Sequence, residues 1–382
     1  MRTNRPIYLD NQATTPCDPR VVQAMLPWFT ERFGNPHSVE HAMGQEAEAA
    51  VEAARAEVAA LIGAEPREII LTSGATEANN LAIKGAARHA GPARPRIITV
   101  ATEHKCVLEC VRDLAGEGFE PVILPVQADG LLDLAVLEAA LRSPALLVSV
   151  MTVNNETGVI QDIPSIAELA HRAGALLHTD AAQATGKVPL NVADGIDLMS
   201  LSGHKMYGPK GVGALYVRRR PRVRLRPLFS GGGQERGLRS GTLPTPVVVG
   251  LGKAARLAAA EMDEDNGRIR ALRDRMLATL RERMPGLLVN GHTVQRVAGN
   301  LSLTFPVSAQ EMLRANPDLC VSTGSACSSV AIEPSYVLRA MGVSAEAAAH
   351  TLRIGLGRFT SAAEIDVAAH WLIQAALDRT HA

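Results

Sequence analysis

"RIITVATEHKCVLECVRDLAGEG" runs from residue 96 to residue 118. Its first part is a short apolar run rich in β-branched residues. Its second part has helical spacing and closes on glycine. We read a buried strand, then a helix, with His104 at the joint. The same unit recurs on both sides. "EIILT" (68–72), "ALLVSVM" (145–151), "GALLHTD" (174–180) and "DLMSLS" (197–202) read as further buried strands. "ATEANNLAIKGAARHA" (75–90) and "IPSIAELAHRAG" (163–174) read as helices between them, and an Ala- and Glu-rich helix over 45–62 precedes them. This alternation predicts an α/β domain with a mainly parallel sheet flanked by helices.

After about residue 250 the pattern changes. A long helix is expected over 251–284, then a strand in "AGNLSLTFP" (298–306), a helix over 309–315 and a last helix from Ala362. These suit a smaller α+β domain. The expected division is a large domain over 15–255 and a small domain made of 1–14 with 256–382.

The chain has 382 residues, which fits about two domains. Lys+Arg and Asp+Glu both number 39, so the net charge of zero favours neither nucleic acid nor an anionic membrane as partner. No apolar run has spanning length, and the first residues lack the apolar core of a signal peptide. A cytoplasmic protein is expected. The basic run "VRRRPRVRLRP" (217–227) reads as a solvated strand edge and turn, with an acidic partner as the alternative. The five cysteines have no CxxC spacing, and an odd number in a long chain speaks against a disulfide framework. Cys106, Cys110 and His104 could face one another, but a structural metal site needs about four ligands, so no metal is expected.

Four segments carry polar residues where strands end, which is where open α/β sheets bind ligands. In "LTSGATEANNLA" (71–82) a strand gives way through Gly74 to a helix with Thr76 as the expected N-cap. Such a start exposes amide N–H groups to phosphate, although any capped helix looks alike. In "LLHTDAAQATG" (176–186) Asp180 follows an apolar strand and must be paired, by local capping or by a cationic ring nitrogen. In "SLSGHKMYGPKGVGALYV" (200–217) Lys205 stands just past a strand, where partial desolvation would make it nucleophilic; Lys187 and Lys210 read as ordinary exposed turn lysines. In "TEHK" (102–105) His104 is placed to stack on a flat ring and move protons. Taken singly, each has a bland structural reading. Together they are the parts that pyridoxal 5'-phosphate needs.

With "YLDNQATTP" (8–16), "FGNPHS" (33–38), "VNNETG" (153–158), "GGGQERGLRSGT" (231–242), "STGSACSS" (322–329), "EPSYVLRAMG" (333–342) and "LRIGLGRFT" (352–360), these motifs span nearly the whole chain. In that order they resemble the cysteine desulfurases of the NifS/IscS group, which have the class V aminotransferase-like form of PLP fold type I. The resemblance implies roles by position. Lys205 would hold the cofactor covalently and serve as base. Asp180 would keep its ring nitrogen protonated, His104 would stack on it, and Gln183 and Asn155 would contact its phenolic oxygen. Ala75, Thr76, Ser202 and His204 would bind its phosphate, joined by Thr242 from the second subunit of a homodimer. Arg353 would pair with the substrate carboxylate, with Asn155 beside it.

Cys327 lies in "VSTGSACSSV" (321–330), a run of mostly small residues. A packing cysteine has apolar neighbours, whereas a pliable loop suits a thiol that travels. The resemblance makes Cys327 the nucleophile that takes sulfur from L-cysteine as a persulfide, leaving L-alanine. The sulfur would pass to an acceptor protein, for iron–sulfur cluster or other thio-cofactor assembly. Cys17 and Cys320 read as structural. Two points depart from many housekeeping members: the chain stops at "ALDRTHA", without their C-terminal extension, while the loop from Ser322 to Pro334 is of the longer type. Selenocysteine lyase, or another PLP-dependent lyase or aminotransferase, is the alternative on this site.

Overall fold

A computed structural model describes residues 6–323 and 334–380 of the chain. The strands are β1 (Ile7–Tyr8), β2 (Ile69–Thr72), β3 (Arg96–Val100), β4 (Glu120–Leu124), β5 (Ala145–Ser149) and β6 (Leu176–Asp180). They continue as β7 (Leu198–Ser202), β8 (Gly213–Val217), β9 (Leu288–Val289), β10 (Asn300–Thr304), β11 (Leu319–Cys320) and β12 (Thr351–Gly355). Seven of them form the central sheet in the order β2-β8-β7-β6-β5-β3-β4. Only β8 runs against its neighbours; the other contacts are parallel. The fold is α/β with a mainly parallel sheet.

Both faces of this sheet are covered, and the two-residue period of the strands sorts the side chains. Ile69, Leu71, Ile98 and Val100 enter the core under the helices Ala42–Leu61, Ile163–Arg172 and Thr245–Arg283. Ile70 and Ile97 point the other way, under the helices Ala75–Ala90 and Lys105–Asp113. Two strands of this sheet escaped the sequence reading, as did β9, β11 and β12 outside it. β4 is an edge strand with mostly part-exposed residues and a proline inside it, so its apolar signal is weak. β8 is fully buried but stands inside the glycine-rich stretch that follows Lys205, where it reads as turn.

A second core surrounds the antiparallel trio β9-β10-β12 and the parallel pair β1-β11. The Ala362–Thr380 helix packs on it. The Thr245–Arg283 helix belongs to both cores: Val248 to Leu257 pack in the first, Ile269 to Leu280 in the second. At 39 residues it spans about 58 Å. The basic run after β8 is a turn whose Val223 and Leu225 face inward while Arg219, Arg220, Arg222, Arg224 and Arg226 are exposed.

Beneath the ligand-facing end of the sheet, His178 is fully buried on β6 between Ser149 Oγ at 2.8 Å and Ser200 Oγ at 3.0 Å. Burial alone lowers its pKa to about 3. The folded protein therefore holds a neutral imidazole that the unfolded chain protonates near pH 6.5. Stability contributed by this group is complete above that pH and is lost as pH falls toward 3. Between pH 6.5 and 5 the loss should be about 1.6 kcal/mol. Urea unfolding of the wild type and of His178→Asn at both pH values checks this. The variant should show the shallower decline; equal slopes would refute it.

Candidate active site

Five sheet strands end at one cavity of about 610 Å³, and each ending has a local cause. After β2, the chain turns at Gly74 (φ 152°) and the Ala75–Ala90 helix begins. Gly74 itself is the N-cap, so Thr76 sits in the first turn rather than capping it. Thr76 is thereby free to face the cavity with Ala75. A side chain at Gly213 would meet Gly74 Cα at 2.7 Å; two glycines allow β8 to start directly against this turn. The helix start, with Ser202 and His204 opposite, forms a pocket of N–H and O–H donors suited to a phosphate. Burial, helped by Lys205, holds His204 near a pKa of about 4, so it is a neutral partner there.

At the other end of the cavity stands Asp180, only 5% exposed. Its Oδ1 accepts from Ala182 N at 2.9 Å and its Oδ2 from Asn79 Nδ2 at 2.7 Å. The local reading of this carboxylate holds, since it caps the following turn, and it also lines the cavity. Asn79, fully buried, escaped the sequence reading as its partner although it stands within a quoted motif. His104 caps the Lys105–Asp113 helix, its Nδ1 accepting from Cys106 N at 3.2 Å. Burial lowers its pKa, while Asp180 pulls the other way.

Lys205 lies on a short 3-10 turn just after β7. Its ammonium donates to the carbonyls of Gln12 and Ala13, the latter at 2.9 Å. Thr15 fastens this N-terminal segment to the lysine turn, with Oγ1 donating to His204 O at 2.9 Å and accepting from Tyr207 N at 2.9 Å. Gln183 Nε2 donates to Gln12 O at 2.8 Å. Arg353 comes from β12 of the second core and is 3% exposed. It contacts Asp10 Oδ1 at 2.8 Å and Asn155 O at 3.2 Å. The buried Asn155 Oδ1 has no hydrogen-bond partner among the described residues, an acceptor left for a ligand.

Lys205, Asp180, His104, Gln183, Asn155, Ala75, Thr76, Ser202, His204 and Arg353 thus line one cavity. Thr242 is exposed and does not line it. Cys327 lies outside the described residues; the chain leading to it pairs Ser322 with Arg353. Lys187 is no exposed turn lysine: it lies part-buried with Nζ donating to Gln183 Oε1 at 3.0 Å. Glu103 was missed altogether. It is fully buried, its Oε1 accepts from Met151 N at 2.5 Å, and burial with Asp180 nearby drives its pKa well up. It stands three residues past β3 and just before a helix, where an acid is ordinary, so no distinct signal marked it in the sequence. Among the described residues no cluster of three or more His, Cys, Asp or Glu groups could hold a metal ion.

Cys106 also lines the cavity, but burial above all, and Asp180, push its thiol pKa strongly up. Cys110, deeper in the core, rises to about 12, also by burial. Neither is a nucleophile at neutral pH. Iodoacetamide at pH 8 should leave both unmodified in the native protein, and Cys106→Ala should hold turnover within about threefold, as for a residue outside the chemistry. Rapid labelling of Cys106, read by peptide mass, would reverse that conclusion.

The donor set fits a flat phosphorylated aromatic: an anion cradle at one end, a buried carboxylate at the other, and a lysine between. Residues 7–367 match the class V aminotransferase family. A cysteine desulfurase IscS of Rickettsia bellii (strain OSU 85-389) is 55% identical over 95% of this chain and 89% of its own. A cysteine desulfurase of Mus musculus is 55% identical over 96% of this chain and 80% of its own. Among solved structures, a NifS-like protein superimposes with a TM-score of 0.90 at 35% identity, covering 99% of this chain and 100% of that one. The chain belongs to the class V aminotransferase family.

Proposed function

We infer that this chain is a PLP-dependent cysteine desulfurase, which converts L-cysteine to L-alanine and keeps the sulfur as a persulfide on Cys327. The observation that carries the reading is the meeting of Lys205, Asp180, His104, the helix cradle and Arg353 in one cavity. Pyridoxal phosphate supplies, when bound, a ring that takes up electrons from the substrate's Cα. Every other task falls to side chains. The Ala75–Thr76 turn, Ser202 and His204 hold the phosphate. Asp180 keeps a proton on the ring nitrogen, its own oxygens being steadied by Asn79 and Ala182 N. Gln183 and Asn155 offer amides to the phenolic oxygen.

Arg353 binds the substrate carboxylate, a task suited to a planar, two-pronged donor. Lys205 Nζ takes the Cα proton, and His104 assists proton transfer at the ring face. The Cys327 thiolate then attacks the substrate sulfur. An S–S bond forms, the Cβ–S bond breaks, and its electron pair leaves with Cβ, which becomes the methyl of alanine after protonation. Ser322, five residues before Cys327, pairs with Arg353, and five residues extend at most about 18 Å.

The reading extends to delivery of this sulfur to an acceptor protein for iron–sulfur or other thio-cofactor assembly, and to a cytoplasmic homodimer. Exposed Leu26, Phe29 and Phe33, at 58%, 56% and 66%, are apolar surface that a second copy would cover. Exposed Thr242 is available to a neighbour's phosphate site. Among the described residues no helix is long and apolar enough to cross a membrane.

Brief exposure of holoprotein to L-cysteine without reductant, followed by intact mass and an alanine assay, tests the reading. One added sulfur on Cys327 with equimolar alanine is expected, and Cys327→Ala should lose both. Alanine without sulfur on Cys327 would remove that residue from the mechanism. Turnover of selenocysteine alone would move the assignment to a lyase.

A further inference from the structure

The chain encloses a second cavity, of about 440 Å³, that shares no lining residue with the first. It lies where the two cores meet. Val297 packs in the first core and its neighbour Ala298 in the second, and both line the cavity with Asn266 and Arg270 of the long helix. Junctions of this kind and size are common small-molecule sites.

Its charge is unusual. Arg296 is 6% exposed, yet its guanidinium reaches only neutral oxygens: His292 O at 3.2 Å, Asn300 Oδ1 at 3.3 Å and Asn290 O. Lys187 donates to the amide oxygen of Gln183. Among the described residues neither cation has a carboxylate within 4.0 Å. A buried cation without an anion is normally avoided, because desolvation is not offset. Burial accordingly lowers Lys187 to about 7 and Arg296 to about 10. Arg270 stands exposed among the lining residues, and the single acidic one, Asp194, is also exposed.

We propose that this cavity binds a small organic or inorganic anion bearing carboxylate or phosphate, held between Lys187 and Arg296. Val188 and Val297 supply an apolar wall, so the preferred ligand carries a short carbon skeleton behind its charge. The site has a route to the first cavity. Lys187 holds Gln183 Oε1 at 3.0 Å, which directs Gln183 Nε2 toward Gln12 O, itself an acceptor for Lys205. An anion that draws Lys187 to itself changes the hold on this amide, and any such coupling acts in both directions. The route rests on the proposed role of Gln183; the binding itself does not.

Calorimetric titration of the holoprotein with succinate, and separately with inorganic phosphate, at constant ionic strength, tests the site. Holoprotein is used because bound cofactor fills the phosphate cradle of the first cavity. Saturable 1:1 binding of at least one probe below about 10 mM is expected. Lys187→Met should raise that Kd at least tenfold, and Arg270→Gln by less. Binding of succinate alone assigns a carboxylate, and of phosphate alone a phosphate; either supports the site. No saturable binding, or binding that Lys187→Met leaves unchanged, overturns it. Should Lys187→Met fail to fold, Lys187→Gln with the same criterion replaces it. A protein inactive on L-cysteine that still binds the anion separates this proposal from the desulfurase reading.

Discussion

Lys205→Ala should abolish desulfuration: alanine production from L-cysteine is expected to fall by about 10³-fold or more, since the residue proposed as both base and covalent anchor is removed. Lys205 follows β7, which lies between β2 and β6 in the sheet, and so stands between the Gly74 turn and Asp180. Lys210 also lines the cavity, and Lys187 approaches Gln183 from behind, yet neither follows β7 on the turn. The variant should remain folded, because the carbonyls that Lys205 bonds can be satisfied by water after truncation. Its visible absorption after cofactor addition should be that of unattached cofactor and should dialyse away. Alanine formation within tenfold of wild type would take Lys205 out of the chemistry.

The largest effect on stability is expected at Arg55, which lines neither cavity. Arg55 and Glu235 are 3% and 6% exposed and meet through two parallel bonds of 2.7 and 2.8 Å. Glu235 also accepts from Leu71 N at 2.6 Å, and Arg55 donates to Ile69 O at 2.9 Å. The pair therefore clamps edge strand β2 between the Ala42–Leu61 helix and the 231–242 segment. It also holds two successive non-glycine residues at positive φ, Glu235 at 49° and Arg236 at 58°. Arg55→Ala leaves a buried carboxylate without its partner and should cost about 3–5 kcal/mol. The urea midpoint, with unchanged slope, measures this. A loss under about 1 kcal/mol would mean that Glu235 finds water or another cation.

Much of this architecture is legible in the order of the amino acids. Five of the seven central strands announce themselves because strands buried on both faces are continuous apolar runs, as in the parallel β3, β5, β6 and β7 and in β2, a buried antiparallel edge strand. The helices over 309–315 and from Ala362 begin where expected, since a serine precedes each. β8 hides because glycine dominates its approach, and β4 because an edge strand needs little apolar surface. At the site, strand-end polar residues could be picked out one by one. Their partners could not. Asn79 looks like any helix asparagine, and Glu103 like any acid before a helix. Lys187 reads as solvated because nothing in "ATGKVPL" reveals that two cores close over it. Pairing across long sequence separations is set by topology, which local pattern does not encode.

The order of synthesis meets a constraint in the way the two ends of the chain are joined. Arg353 bonds Asp10 across 343 residues, and β1 pairs with β11. The segment that receives Lys205, Gln12 to Ala13, is thus anchored by the last third of the chain. On a ribosome the first residues emerge long before their partners are synthesised, and they must wait without a strand to join. The central sheet can assemble during translation, but the cavity cannot be completed until β12 has left the exit tunnel. Cofactor capture is therefore a step that follows synthesis, and a truncated nascent chain would be a scaffold without a working pocket.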